Sequence, residues 1–177
     1  MPEQHVLLNT TALQKCLLRV AHEISERNES SRAVALVGIQ KGGVHLASRL
    51  GKLLSQVWQH DVPLGTIDTS MHRDDLGEQP APQIMPTNLP FDLAGRTVVL
   101  VDDVLFSGRT VRAALDALSD FGRPRRVQLA VLVDRGHREL PIKADFIGKN
   151  APTSLDEYID VQLTETGGED IVYLRKK

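Results

Sequence analysis

Two adjacent aspartates and a glycine-containing polar turn lie close together in VVLVDDVLFSGRT, residues 98–110. Asp102 and Asp103 follow an apolar run, and two like charges at the end of a buried strand cost free energy unless a cation or a hydroxyl-rich ligand uses them. The turn at residues 107–110 contributes hydroxyls and backbone N–H groups at the start of a helix, which suit phosphate. Carboxylates that accept from a diol, beside a phosphate site, suit a ribose 5-phosphate. A plain strand–turn–helix in which Asp103 only caps the helix is the alternative.

The apolar pattern predicts a parallel sheet that positions these residues. Near-continuous apolar runs, typical of strands buried on both faces, lie at 33–39, 96–103 and 127–133. Apolar residues spaced by three and four predict helices at 11–28, 44–57 and 110–121. Weaker patterns predict strands at 62–68, 146–148, 158–163 and 171–174. Ligands of such sheets bind at the carboxyl ends of the strands, where we expect several side chains to meet: Asp68, Asp102, Asp103, Asp134 and Arg135.

Length and composition indicate one globular domain. With 177 residues, a formal net charge of −2 and one cysteine, the chain fits a single domain over residues 1–177. No apolar run approaches the length of a membrane span, and the first residues lack a secretory signal pattern. One cysteine excludes an internal disulfide, so we expect a cytoplasmic protein. The small net charge excludes a general attraction to nucleic acid, and RNA binding would need a local basic patch.

A long proline-containing segment separates the first half of the chain from the aspartates. Residues 69–95 lack any sustained periodicity, and such a stretch inside a compact domain is usually functional or disordered. We expect a flexible active-site loop over about residues 69–95, with a functional cation, Arg73, near its start. A solvated arginine paired with a neighbouring aspartate is the alternative for Arg73.

The segment 98–110 resembles the phosphoribosyl-diphosphate signature of type I phosphoribosyltransferases: an apolar strand, two acidic residues and a turn of small residues. Further segments resemble PyrR, the family of bifunctional pyrimidine-operon attenuators and uracil phosphoribosyltransferases, at RDDL (73–76), LAVLVDRGHRELPI (129–142) and GKNAPTS (148–154). The resemblance covers nearly the whole chain. It implies the type I phosphoribosyltransferase fold, an α/β architecture with a mostly parallel central sheet, flanking helices and a small hood from the chain ends.

The same resemblance implies a reaction, in which uracil and phosphoribosyl diphosphate give UMP and diphosphate. Asp102 and Asp103 would hold the ribose hydroxyls and favour the positive charge of an oxocarbenium-like transition state, while Arg73 would meet the leaving diphosphate. Mg²⁺ would bind mainly through phosphoribosyl diphosphate, with few direct protein ligands. The residues expected to contact phosphoribosyl diphosphate are Gly38, Lys41, Gly42, Gly43, Asp102, Asp103, Val104, Leu105, Phe106, Ser107, Gly108, Arg109 and Thr110.

The loop expected to bind diphosphate departs from the family pattern Gly-Ile-x-Thr-Arg-Gly. Here it reads Gly-Ile-Gln-Lys-Gly-Gly over residues 38–43, so Lys41 stands at the threonine and Gly42 at the arginine. Lys41 would supply a point charge in place of the planar fork of arginine. A catalytically weak protein that acts only as an RNA-binding regulator is therefore one alternative.

The residues around the base site favour a pyrimidine. Purine-salvage relatives often carry an acidic residue at the position of Phe106, and an aromatic ring can pack against a base but cannot accept its protons. A purine or orotate phosphoribosyltransferase is the alternative that this position disfavours. We expect the base to bind around Phe106, Val133, Asp134 and Arg135.

The PyrR resemblance also implies binding to the leader RNA of pyrimidine operons, assisted by the uridine nucleotides UMP and UTP. RNA phosphates require clustered cations, and a homodimer or higher homo-oligomer would join two such patches. A solvated helix face whose cations are balanced by glutamates is the alternative. The positions that match the RNA-contacting residues of the family are Arg19, His22, Arg27, Arg138, Lys143 and Lys149.

Overall fold

The strands form two sheets in the computed structural model, which describes residues 4–74 and 83–177. In chain order the strands are β1 (Gln4–Leu8), β2 (Val34–Ile39), β3 (Leu64–Ile67), β4 (Thr97–Leu105), β5 (Arg126–Asp134), β6 (Phe146–Asn150), β7 (Glu157–Gln162) and β8 (Ile171–Lys176). The α-helices are α1 (Thr10–Arg27), α2 (Gly42–Trp58) and α3 (Arg109–Ser119), and 3₁₀ turns lie at Ser31–Ala33, Ser70–His72 and Thr164–Thr166.

The central sheet is parallel and has the strand order β3-β2-β4-β5-β6. Val37 on β2 pairs with Leu100 on β4, which pairs in turn with Leu129 on β5. Every residue of β2 is buried, as expected for a parallel strand covered on both faces. The predicted α/β fold with a parallel central sheet is confirmed.

Alternate residues of β4 face two separate hydrophobic clusters. Val99 and Val101 pack with α1 and α2, whereas Val98 and Leu100 pack with α3. Successive side chains of a strand point to opposite faces, so a strand covered on both faces reads as one continuous apolar run. Packing on both faces holds the carboxyl end of β4 in place, and that end carries the paired aspartates.

A second, antiparallel sheet of order β1-β8-β7 is built from both ends of the chain. It is the hood that the family resemblance implied. The sequence did not predict β1, a short strand whose residues Gln4, His5 and Val6 are exposed and which gains its partner only by pairing with β8. The helices, in contrast, begin and end within two residues of their predicted bounds.

The segment predicted as a loop at residues 69–95 is in part held against the edge strand β3. Asn88 and Thr66 exchange two backbone hydrogen bonds of 2.8 and 2.9 Å, and Leu93 is buried in the core. Residues 75–82 lie outside the described residues. The expected flexibility of an active-site loop therefore stays a prediction.

An arginine on α2 joins the central sheet to the hood. The Nη atoms of Arg49 donate to both carboxylate oxygens of Asp170 at 2.7 and 2.8 Å, and its Nε donates to Glu165 at 2.8 Å. The Asp170 carboxylate also accepts from the backbone N–H of Thr164 at 2.9 Å, while its backbone carbonyl accepts from the Thr10 hydroxyl at 3.0 Å. The Arg49 hydrogen bonds lower the pKa of Glu165 to about 2 and also lower the pKa of Asp170. Asp170 thus connects α1, α2 and the hood.

Replacing Asp170 by alanine should destabilise the protein by roughly 2 kcal/mol, because hydrogen bonds to a charged and nearly buried group are lost. Urea unfolding at pH 7 measures this change in the free energy of unfolding. The lowered pKa of Asp170 means that its stabilising effect is present above its ordinary pKa of 3.8 and is lost as the pH falls below that value. The difference between wild type and Asp170→Ala should therefore shrink below pH 3.8.

Glu169→Ala is the matched control, because Glu169 is the exposed neighbour of Asp170 and its loss should change the free energy of unfolding by less than about 0.5 kcal/mol. Equal effects of the two substitutions would show that Asp170 does not hold the hood.

Candidate functional site

A cavity of about 350 Å³ opens at the carboxyl end of β4. It is where a parallel sheet is expected to bind its ligand. Its lining contains most of the residues predicted to contact phosphoribosyl diphosphate, together with the two unpredicted residues Val111 and Glu139. The full lining is Arg73, Asp102, Val104, Leu105, Phe106, Ser107, Gly108, Arg109, Thr110, Val111 and Glu139.

The paired aspartates differ in their surroundings. Asp102 is only 6% exposed, and its Oδ1 accepts from the backbone N–H of Asp103 at 2.9 Å. Asp103 is half-buried, and its Oδ1 accepts from the backbone N–H of Val104 at 2.7 Å. Burial raises the pKa of Asp102 well above its ordinary value, the charge of Asp103 raises it further, and nearby Arg73 acts in the opposite direction. The charged form of Asp102 is therefore costly in the empty site, and a hydroxyl donor or a positive charge at the site would stabilise it.

Replacing Asp102 by asparagine should stabilise the empty protein at pH 7, because the folded state no longer has to bury a charge beside Asp103. The raised pKa means that the folded state holds the Asp102 proton more tightly than the unfolded state. The contribution of Asp102 to the free energy of unfolding therefore falls as the pH rises above about 3.8, the ordinary pKa. Asparagine has no such titration and keeps an acceptor for the Asp103 N–H.

Urea unfolding of wild type and Asp102→Asn at pH 4 and pH 7 checks this, and the gain should appear at pH 7. Asp103→Asn is the matched control: it relieves the same repulsion at a half-buried position and should stabilise less. An Asp102→Asn protein no more stable than wild type at pH 7 would contradict the raised pKa.

The turn after β4 forms the start of α3. Gly108 has φ of +94° and precedes the first helical residue, Arg109, a conformation that glycine adopts without steric cost. The backbone carbonyl of Ser107 accepts from the N–H groups of Glu139 and Leu140 at 2.9 and 3.2 Å, which fixes the turn against the loop after β5. The first N–H groups of an α-helix have no partner within the helix. The N–H group of Arg109 donates to the Ser107 hydroxyl at 3.3 Å. This end of α3 lines the cavity, and helix N-termini suit phosphate.

Two carboxylates contact the arginine at this helix start. Arg109 Nη1 donates to Asp74 at 2.5 Å and Arg109 Nε to Glu139 at 2.7 Å, while Arg112 donates to Asp74 at 3.1 Å. Asp74 thereby holds the residue next to it, Arg73, near the cavity. The sequence did not indicate a role for Glu139, because its pairing with Arg109 depends on how the loop after β5 folds back.

The loop at residues 38–43 packs so closely on β4 that side chains are excluded. A Cβ atom on Gly43 would lie 1.9 Å from the backbone oxygen of Val101, and one on Gly42 would lie 2.2 Å from the carboxylate of Asp103. Glycine at position 42, where the family pattern has arginine, therefore brings the loop backbone against Asp103.

The neighbouring part of this loop contacts residues 83–86. Lys41 Nζ donates to the side chain of Gln83, and Gln40 donates to the backbone carbonyl of Pro86, both at 3.3 Å. The peptide bond between Gln40 and Lys41 is cis.

Gly42→Ala should weaken binding of phosphoribosyl diphosphate by about tenfold or more, since the added methyl group displaces the Asp103 carboxylate and such misplacements near the chemistry are costly. Gly51→Ala on α2 is the matched control. Its Cβ would meet Leu36 at an ordinary 3.7 Å, and alanine favours a helix over glycine. Isothermal titration of both variants with phosphoribosyl diphosphate and Mg²⁺ measures the effect. Equal affinities would show that the close approach at Gly42 does not matter for the ligand.

The residues predicted to bind the base differ in what their side chains contact. The Arg135 guanidinium lies over the Phe106 ring at 4.1 Å from its centre, and Arg135 is itself buried, with Nε bonded to the Thr153 hydroxyl at 2.9 Å. Val133 is fully buried in the core, so only its backbone could reach a base. Asp134 accepts hydrogen bonds from the backbone of the residue two positions later and from Arg138.

The aspartates that follow the three strands do not all meet at one cavity. Asp102 lines it, whereas Asp68 is used locally and accepts from the Ser70 hydroxyl at 2.8 Å. Asp134 is likewise used locally, in the turn after β5. The cavity is therefore centred on β4 and its turn.

Most of the predicted RNA-binding residues lie along α1 and the edge strand β6. Arg19 donates to the carbonyl oxygens of Ile147 and Gly148 on β6, and Arg27 lies 3.4 Å from Asp145. His22 is exposed on α1, Lys143 is exposed just before β6, and Lys149 is half-buried on it.

Arg138, in contrast, lies at the other site. Its guanidinium donates to the backbone carbonyls of Phe106 and Ile142 at 2.9 and 2.8 Å and contacts the Asp134 carboxylate. It holds the loop beside the candidate base site together.

Comparison with known proteins identifies the family. Residues 9–158 match the phosphoribosyl transferase domain. The chain is 56% identical to the bifunctional protein PyrR of Roseiflexus sp. (strain RS-1), over 95% of this chain and 93% of that relative. It is 54% identical to the bifunctional protein PyrR of Chloroflexus aurantiacus, over 99% of this chain and 97% of the relative. The chain belongs to the PyrR family of phosphoribosyltransferases.

Solved structures show the same fold at lower identity. A hypoxanthine-guanine phosphoribosyltransferase from Bacillus anthracis is 18% identical and has a TM-score of 0.72, with 100% of this chain and 99% of that chain covered. The predicted type I phosphoribosyltransferase fold is thus confirmed. Within residues 4–74 and 83–177, no helix of this PyrR-family chain is long and apolar enough to cross a membrane.

Proposed function

We propose that the cavity beside Asp102 and Asp103 is the place where this protein, a pyrimidine-operon regulator with uracil phosphoribosyltransferase activity, transfers the phosphoribosyl group to uracil. The observation that carries this proposal is one cavity that combines the buried carboxyl of Asp102, with the half-buried Asp103 as its neighbour, and the start of α3. The helix start suits the 5-phosphate, and the carboxyl pair suits the ribose hydroxyls. A ribose 5-phosphate would span the two groups.

The same residues favour the transition state over the bound substrate. The bond from ribose C1 to the diphosphate oxygen breaks, a bond to a uracil ring nitrogen forms, and that nitrogen loses its proton. Positive charge on the ribose rises as diphosphate departs. Asp102 and Asp103 stabilise this charge, and the interaction strengthens in the transition state, which is the condition for catalysis. The partial burial of the pair limits screening by water.

Cations at the mouth of the cavity are assigned to the leaving group. Arg73 lines the cavity, where its guanidinium can meet the diphosphate. Lys41 adds a second charge from the loop packed on β4, and the backbone N–H groups of residues 42 and 43 complete the site. Lys41 is now bonded to Gln83, a weak contact that a diphosphate would replace.

The residues present also suit Mg²⁺ carried by the substrate. Phosphoribosyltransferases generally use Mg²⁺ with phosphoribosyl diphosphate, where the ion neutralises the diphosphate charge. Mg²⁺ prefers carboxylate, phosphate and hydroxyl oxygens, and Asp102 and Asp103 supply carboxylates next to the ribose position. Among the described residues, no group of three or more His, Cys, Asp or Glu side chains could hold a metal ion. In this proposal the phosphate and hydroxyl oxygens of the substrate supply most of the ligands of the ion.

Base selection is assigned to the region around Phe106 and Arg135. One face of the Phe106 ring is covered by the Arg135 guanidinium, and Phe106 presents no acidic group to a purine. The pyrimidine edge is assigned to backbone groups of residues 104–106 and 133–135, of which the carbonyls of Leu105 and Phe106 already accept one hydrogen bond each.

Product formation with four bases tests the enzymatic proposal. Purified protein is given phosphoribosyl diphosphate and Mg²⁺ with uracil, orotate, hypoxanthine or guanine, and nucleotides are separated chromatographically. UMP as the product that forms supports the assignment. Formation of IMP or GMP would instead show a purine enzyme. No product from any base, although phosphoribosyl diphosphate binds, would indicate a regulator that lost catalysis through the altered loop at residues 38–43.

The regulatory activity is assigned to the surface of α1 and β6. Arg19, His22, Arg27, Lys143 and Lys149 lie there, and none of these five lines the cavity at the end of β4. The leader RNA of a pyrimidine operon is the proposed partner, with UMP or UTP in the active-site cavity as the signal. A homodimer in the cytoplasm would present two such surfaces to one RNA.

Substitutions at the two surfaces should separate the two activities. Arg73→Ala should lower the turnover of UMP formation by about a hundredfold, the usual cost of losing one donor to a developing negative charge, and leave RNA affinity near the wild-type value. Arg27→Ala should weaken RNA binding severalfold and leave turnover unchanged. Steady-state kinetics and filter binding with the leader transcript measure the two effects.

Arg27 is the better choice than Arg19 for this comparison, because Arg19 also holds β6 through two backbone carbonyls. Loss of both activities in either folded variant would contradict the assignment of separate sites.

A further inference from the structure

Three arginines at the turn between α3 and β5 form the most strongly basic surface of the described residues that the proposed function has not used. Arg123, Arg125 and Arg126 are all exposed, and none of them forms a side-chain hydrogen bond or ion pair with residues 4–74 or 83–177. The arginines at the active site differ in this respect: Arg109 and Arg138 each contact a carboxylate. An exposed arginine without a carboxylate partner keeps its full charge and its planar donors for an external anion.

The turn that carries these arginines is well positioned by the backbone. Arg125 and Arg126 donate their N–H groups to the carbonyl of Arg96 at 2.9 and 3.4 Å, and Pro124 forms a bridge with Ala94. The charges are thus held on a rigid corner of the sheet. Little backbone entropy is lost when they bind a partner.

The arginine turn adjoins the end of α1 that carries Arg27. Val127 packs with the cluster on the α3 side of the sheet, so Arg126, its neighbour on β5, points to the opposite face, which α1 covers. On that face, Asn28 Nδ2 donates to the side chain of Gln128 at 3.0 Å. Arg126 lies two residues before Gln128, about 7 Å along the strand. Arg126 therefore lies next to the surface that begins with Arg27, and the turn that carries Arg123 and Arg125 leads away from it.

The α1 surface by itself is of mixed charge. The groove beside Arg27 is lined by Glu23, Glu26 and Asp145 as well, and Arg27 contacts Asp145. RNA affinity depends on phosphates that meet uncompensated cations. Two carboxylates near the arginine turn already have partners. Asp120, three residues before Arg123, contacts His72 at 3.1 Å, and Asp92 accepts from the backbone N–H of Ala94, the residue that bridges with Pro124. The turn is the more favourable place for phosphates.

An exposed aromatic ring lies at the same corner. Phe121, two residues before Arg123, is 54% exposed. Unpaired nucleobases of RNA loops stack on exposed aromatic side chains and on arginine planes. The combination of an exposed ring and three unpaired guanidinium groups suits single-stranded RNA better than an acidic protein surface, which has no base to stack.

We propose that Phe121, Arg123, Arg125 and Arg126 form a second RNA-binding segment, which extends the α1 surface past Arg27 and binds an unpaired stretch of the RNA. This proposal rests on the RNA-binding part of the proposed function and is independent of its catalytic part. The segment begins at the amino end of β5, and the candidate base site lies at the carboxyl end, about 26 Å away over the eight residue steps from 126 to 134. The RNA would therefore leave the entrance of the active site open.

The test compares a triple variant with two matched controls. R123A/R125A/R126A removes the three guanidinium groups, R123K/R125K/R126K keeps the charges, and K52A/K176A/K177A removes three positive charges at positions outside the segment. Binding of a fluorescein-labelled leader RNA stem–loop is measured by fluorescence anisotropy between 50 and 300 mM KCl. UMP formation and the thermal midpoint are measured for each protein.

The alanine triple variant should bind the RNA at least about tenfold more weakly at 100 mM KCl. Its slope of log affinity against log salt should be shallower by about 2, since each phosphate contact to single-stranded RNA contributes about 0.7. The lysine triple variant should keep most of the affinity, and K52A/K176A/K177A should bind within about twofold of wild type. Phe121→Ala should weaken binding without a change in salt slope, because it removes stacking and no charge. UMP formation should stay at the wild-type rate in all of them.

Other outcomes would overturn the proposal. If Arg27→Ala weakens RNA binding but R123A/R125A/R126A does not, the RNA-binding function stands and the second segment is wrong. If wild type forms UMP but does not bind the RNA, both the second segment and the RNA part of the proposed function are wrong, while the enzyme stands. If K52A/K176A/K177A loses as much affinity as the alanine triple variant, the effect is one of total charge. Equal arginine dependence with a DNA stem–loop of the same sequence would show a general polyanion surface.

Discussion

The close approach of the loop at residues 38–43 to strand β4 is the constraint on which the site depends. Gly43 lies against the Val101 carbonyl and Gly42 against the Asp103 carboxylate, with no room for a Cβ at either position. This contact sets the distance between the loop that would bind diphosphate and the carboxyl pair that would bind the ribose. The burial of Asp102 follows from the same packing, because β4 must be covered on both faces for the loop to be held there. The raised pKa of Asp102 and the short distance between the diphosphate loop and the carboxyl pair thus have one structural cause, the packing of this loop on β4.

Charge is arranged differently at the two ends of the central sheet. At the carboxyl end, Arg109 and Arg138 are held by Asp74, Glu139 and Asp134, so their guanidinium groups have fixed positions before any ligand binds. Preorganised donors of this kind lower the reorganisation needed during a reaction. At the amino end of β5, the arginines have no carboxylate partners among the described residues and remain open to solvent. Paired cations suit a small substrate of defined geometry, whereas unpaired cations suit a long and flexible polyanion.

The sequence predictions succeeded where an element leaves a local pattern and failed where it depends on contacts between residues far apart in the chain. Strands β2, β4 and β5 and the three helices were predicted because burial on both faces or on one helical stripe leaves a local pattern. Strand β1 was missed, since its exposed residues show no such pattern and its order comes from pairing with β8, more than 160 residues away in the chain. The role of Glu139 was missed for the same reason: its contact with Arg109 spans 30 residues. Arg138 was grouped with the RNA-binding residues by its position in a motif, and the structure places its guanidinium beside Phe106.

The sequence by itself determined the family, the parallel sheet and the identity of the turn that follows the paired aspartates, because each leaves a pattern of residue types that is local to the segments concerned. Only the tertiary structure decided which of these residues share a cavity. Asp102 and the turn residues line the same cavity, whereas Asp68 lies outside that lining and accepts a hydrogen bond from Ser70. The tertiary structure also decided which arginines are neutralised and which are free to bind, since an ion pair depends on the distance between side chains that the linear sequence does not contain.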